Sequence, residues 1–134
     1  MIARRTILAA SAGILAVMAS GCAPSRPSEA DISATIEKAV DGVDGVASTL
    51  VEYKTIQGLG ASLRVSVRTK PDAGSPETIM ENVLRALVEP TAGILGATRL
   101  NFFLAEEGQE KGIRANAIGM DSQPSLDEIR ARFS

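Results

Sequence analysis

Histidine and tryptophan are absent from the 134 residues, and cysteine occurs once. Each absence removes a class of chemistry. Without histidine there is no Ser-His-Asp or Cys-His nucleophile and no imidazole ligand for zinc. A lone cysteine forms no disulfide within the chain and no paired-thiolate metal site, so stability must come from packing. Aromatics are limited to Tyr53, Phe102, Phe103 and Phe133, which leaves aliphatic burial to carry the core at about 25 cal/mol per Å² of apolar area. No glycine-rich phosphate loop is present. Carboxylates, lysines, arginines, Tyr53 and hydroxyls are all that remain for catalysis, a thin inventory that points away from an enzyme and toward no cofactor. The 16 acidic residues outnumber the 14 basic ones, for a net charge of −2, which argues against a general nucleic-acid partner.

What is present is organised around Ala19-Ser20-Gly21-Cys22. Arg4 and Arg5 followed by an apolar run from Ile7 to Met18 have the charged and apolar regions of an export signal. The run is too short for a retained span, which needs about 20 residues to cross a bilayer core. The segment resembles a bacterial lipoprotein signal peptide, in which small residues precede the cysteine that receives a lipid. That resemblance implies cleavage between Gly21 and Cys22, a diacylglyceryl group on the Cys22 thiol, and an extracytoplasmic domain held at the cell membrane. Ala19 stands where a bulkier aliphatic residue is usual in that family. An ordinary secretory signal and an uncleaved anchor are the alternatives. Arg4-Arg5-Thr6-Ile7-Leu8 also fits a twin-arginine route beside the general secretory one. Two or three acyl chains hold stably where one binds marginally, at roughly 10⁴ M⁻¹.

The chain then divides into a signal peptide over residues 1–21, a lipidated tether over 22–28 and one α+β domain over 29–134. The prolines of Ala23-Pro24-Ser25-Arg26-Pro27-Ser28 keep the tether out of a helix, and its reach is at most about 20 Å. Ser28-x-x-Asp31 has capping-box spacing ahead of Ile32, Ile36 and Val40 on one helical face. Gly45 to Thr55 predicts a strand, and Ala61 to Lys70 a second, where Leu63, Val65, Val67 and Thr69 alternate with Ser62, Arg64, Ser66 and Arg68. Ser75-Pro76-Glu77 opens a helix with an apolar stripe of Ile79, Met80, Val83, Leu84 and Leu87. Thr98 to Ala105 predicts a third strand and Ile113 to Gly119 a fourth, joined by a charged hairpin loop. Ser125-x-x-Glu128 caps a last helix. The expected order is αββαββα: a four-stranded antiparallel sheet with helices on one face, built from a possible duplicated αββ unit, Gly45 to Val67 matching Gly96 to Ile118.

With helices on one face, the other face of such a sheet is open. Its outward positions would collect Arg64, Arg68, Lys70, Arg99 and Arg114 beside Asn101, Asn116, Phe103 and Ile118. Guanidinium groups mixed with apolar side chains suit an interface or an anion site, although the same residues fit an ordinary solvated sheet face. Asp41-Gly42-Val43-Asp44-Gly45 lacks the further oxygen ligands of a calcium loop and reads as a turn, so no metal is expected. The leading expectation is a non-catalytic binding or assembly module that meets an envelope protein or component through Arg64, Arg68, Arg99 and Arg114. A small-ligand carrier or enzyme with a pocket between helices and sheet is the alternative, and face-to-face self-association a third.

Overall fold

The computed structural model describes residues 28–134 apart from 57 and 59; the signal, Gly21, Cys22 and most of the tether lie outside the described residues. In chain order the elements are α1 (Glu29–Asp41), β1 (Val46–Ile56), β2 (Gly60–Thr69), α2 (Pro76–Leu87), β3 (Arg99–Glu106), a 3₁₀ turn (Ala115–Ile118) and α3 (Leu126–Phe133).

Local chemistry sets the helix starts. Ser28 Oγ accepts from the Asp31 amide at 3.0 Å while Asp31 Oδ2 accepts from the Ser28 amide at 3.3 Å. Ser125 and Glu128 close the same reciprocal box at the start of α3. Ser75 caps α2, whose first residue is Pro76, a position where no amide hydrogen is needed.

The sheet has three strands in the order β1-β2-β3. β1 and β2 are antiparallel, with Leu50 opposite Ser66 and Glu52 opposite Arg64, and a bulge shifts the register between Val46 and Ser48. β2 and β3 are parallel, with Leu63, Val65 and Val67 opposite Leu100, Phe102 and Leu104. Those six side chains form the buried face and pack with Met80, Val83, Leu84 and Leu87 of α2, Ile36 and Val40 of α1, and Leu126 and Ile129 of α3. Each fully buried aliphatic or aromatic side chain contributes about 1.5–3 kcal/mol.

The α+β class holds, but the four-stranded antiparallel sheet and the duplicated αββ unit do not. α2 carries the chain back past the sheet, so β3 enters in the direction of β2; a crossover through a helix produces a parallel pair, whereas a hairpin produces an antiparallel one. Only Ile113 of the expected fourth strand pairs with β3, through reciprocal bonds with Leu104 of 3.0 and 2.8 Å. Alanine and asparagine are poor strand formers, and Ala115 to Ile118 coils into a 3₁₀ turn ended by Gly119 at φ 85°. Without a second hairpin there is no repeat.

Both edges of the sheet are partly covered. Along β1, Ser33 accepts from the Tyr53 amide at 3.2 Å, and Glu29 Oε2 accepts from the Thr55 amide at 2.6 Å and its hydroxyl at 2.7 Å. Along β3, the Leu100 amide donates to the Pro124 carbonyl at 2.8 Å, and Ile113 pairs at the other end. These bonds cover part of each edge, which leaves the face as the broader open surface of the sheet.

The hydroxyl and amide of Thr55, in that order, hold the Glu29 carboxyl below its ordinary value of 4.5. A carboxyl lowered on folding stabilises the fold above its unfolded value and loses that contribution as pH falls through the folded one. Glu29→Gln should therefore lower the melting temperature at neutral pH, with the gap to wild type closing as the pH drops below 4.5. Melting curves across pH check this; a gap unchanged from neutral to acid pH would refute it.

Candidate functional site

The alternation of β2 puts Ser62, Arg64, Ser66 and Arg68 on the side away from the helices, and pairing on both sides extends each into a row. Lys54, Ser62 and Arg99 form one row; Glu52, Arg64 and Asn101 the next; Leu50, Ser66 and Phe103 the third; Ser48, Arg68 and Ala105 the last. Three of the four arginines singled out in the sequence are thus strand residues on one face. The fourth, Arg114, arrives differently. It follows the Ile113 bridge instead of sitting in a strand, and its side chain reaches back to donate to Asn101 Oδ1 at 2.8 Å.

Phe103 is the centre of this arrangement. The guanidinium of Arg114 lies 5.5 Å from its ring centroid and that of Arg68 5.7 Å, within cation–π range. Arg68 also donates to the Gln109 carbonyl, and Arg99 donates to the Gln123 carbonyl at 3.0 Å. Arg64 has a looser partner, Glu52 at 3.5 Å, with both side chains about half exposed. An exposed pair of this kind contributes about 0–1 kcal/mol and exchanges readily. Leu50 is 57% exposed in the row of Ser66 and Phe103, so the basic face carries an apolar strip. Its charge is opposite in sign to that of the chain as a whole.

Other residues expected on the face are elsewhere. Ile118 packs against the core instead of facing outward, because the 3₁₀ turn replaces the alternation of a strand. Lys70 lies past the end of β2, where it lines a separate cavity. That cavity, about 730 Å³, sits at the carboxyl ends of β2 and β3 between the loop leading into α2 and the loop after β3, with Thr69, Lys70, Asp72, Glu106, Lys111 and Ile113 in its walls. Sequence reasoning missed it because the parallel pair was missed; carboxyl ends of parallel strands are where α/β folds place crevices. The available signal was Asp72-Ala73-Gly74 between strand and helix, with Asp72 at φ 61° and Gly74 at φ 107°.

Among the described residues no group of three or more His, Cys, Asp or Glu side chains is placed to hold a metal ion, and no helix is long and apolar enough to cross a membrane. A scan against protein-family models and searches of curated proteins and of solved structures find no match to the chain.

Proposed function

We propose that the chain is a lipid-anchored module of the cell envelope that binds an envelope partner through the open face of its sheet, without catalysing a reaction. The observation that carries this reading is that Arg64, Arg68, Arg99 and Arg114 share one sheet face with Phe103 and Leu50, two of them stacked over the Phe103 ring, on an otherwise acidic chain. Arginine beside exposed apolar side chains is the composition of interface centres. Anchoring supplies the second half of the mechanism, since a tether of about 20 Å would confine the domain to a thin layer at the membrane and raise its effective concentration there.

The two halves are tested separately. Crosslinking in cells followed by affinity capture should recover a partner from wild type and lose it from Arg64→Glu/Arg99→Glu at equal membrane yield; equal recovery from both would remove the face from the reading. Cys22→Ser should abolish incorporation of labelled fatty acid and release the chain from membranes, and persistent labelling would remove the anchor.

A second reading is favoured by the cavity at the strand ends. Its volume of about 730 Å³ falls within the range of small-ligand sites, roughly 300–1,000 Å³. A carrier or enzyme using it would show a rise in melting temperature with its ligand and would be indifferent to charge reversal at Arg64 and Arg99.

A further inference from the structure

We propose that the open face recognises an extended acidic peptide segment in which carboxylates alternate with uncharged residues. This rests on the reading of the face as the binding surface and names the chemistry of its occupant.

The outward series of β2 alternates short hydroxyls with guanidiniums: Ser62, Arg64, Ser66, Arg68. Where the serines fall the surface dips. A depression of about 240 Å³ lies at Ser62 between Arg64 and Arg99, and one of about 350 Å³ at Ser66 between Arg64 and Arg114. Each is thus flanked by two guanidiniums, and Arg64 is shared. Ser62 and Ser66 are an even number of residues apart on one strand, about 13 Å at about 3.3 Å per residue. An extended peptide laid along the strand presents its side chains toward the face at the same two-residue period, so alternating carboxylates come into register with both depressions. The planar fork of arginine matches the two oxygens of a carboxylate.

The flanking groups are held ready. Arg114 is fixed by Asn101 and Arg99 by the Gln123 carbonyl, while the exposed contact of Arg64 with Glu52 is one that an incoming carboxylate can replace. Phe103 and Leu50 beside the Ser66 depression offer apolar surface to the methylene stems of glutamates. A second copy docked face to face would set arginines against arginines, which charge disfavours. A polyphosphate would need only charge, not alternation.

The test uses the full-length chain in detergent and two short fluorescent peptides of identical composition, one alternating glutamate with threonine and one with its glutamates contiguous. In the contiguous isomer half the carboxylates point away from the face, so the alternating peptide should bind about tenfold more tightly by anisotropy, a difference of about 1.4 kcal/mol. Arg64→Gln should remove that preference while lowering the melting temperature only slightly, because the side chain is exposed and its pair with Glu52 contributes about 0–1 kcal/mol. Equal affinity for the two isomers, or equally tight binding of a polyphosphate, overturns the proposal. If neither peptide binds while Arg64→Glu/Arg99→Glu still strips the partner captured in cells, the peptide chemistry is wrong and the face reading survives. If peptides and partner are both indifferent to the arginines, both fall.

Discussion

Phe102→Ala is expected to cost about 3–5 kcal/mol of stability, the usual range for emptying the site of a buried aromatic ring. Phe102 is fully buried opposite Val65 in the middle strand, within the cluster that α1, α2 and α3 close over the sheet. The domain has no disulfide and few other rings to compensate. With total stabilities of about 5–15 kcal/mol for natural domains, the loss should move the midpoint of thermal unfolding down by on the order of 15 °C. The neighbouring substitution is the control. Phe103 projects to the other face and is half-buried, so Phe103→Ala should cost only about 1 kcal/mol while loosening Arg68 and Arg114 and weakening binding. Denaturant unfolding of the two variants checks the contrast; similar losses from both would mean that the strand alternation assigned to β3 is wrong.

Gly112→Ala is the second large effect, and it links fold to surface. A β-carbon at Gly112 would run into the Leu104 carbonyl oxygen, the Phe103 ring and the Ala105 β-carbon. The carbonyl belongs to a strand and cannot turn aside, so the loop itself must lift. Lifting it breaks the paired bonds between Leu104 and Ile113 and carries Arg114, two residues on, away from Asn101 and Phe103. We expect a loss of about 3 kcal/mol, at the upper end for overpacking, with a fall in partner binding although no charge has changed. Gly93→Ala, where the added carbon meets nothing and the backbone is not left-handed, should be close to neutral in both assays. Binding that survives Gly112→Ala in the folded state would show that Arg114 is dispensable to the face.

These variants mark where local chemistry was enough to read the structure and where it was not. The caps at Ser28, Ser75 and Ser125 and the alternation of Leu63, Val65 and Val67 are local patterns whose physical causes act within a few residues, and each is found where the sequence places it. The direction of β3 is not local. It depends on how a crossover through α2 returns the chain, and nothing within Arg99 to Glu106 distinguishes a parallel from an antiparallel neighbour. The stretch from Ile113 to Gly119 misled because Ala115 and Ala117 count as apolar in an alternating pattern while contributing little strand preference. Arg114 nevertheless meets the other arginines, because a long side chain just after the Ile113 bridge spans the distance that a strand position was expected to cover. The β1 edge was illegible for a different reason: the bonds from Tyr53 and Thr55 to Ser33 and Glu29 join residues more than a helix apart in sequence.

The most direct test of the open face as the working surface is site-specific photocrosslinking in cells. A photoreactive side chain placed at Ser66, at the centre of the face between Leu50 and Phe103, should give a discrete adduct with the partner. The same side chain at Asn82, exposed on α2 on the opposite side of the molecule from the arginines, should give none. Adducts from Asn82 and not from Ser66 would place the partner on the helical layer and contradict a function carried by the sheet face.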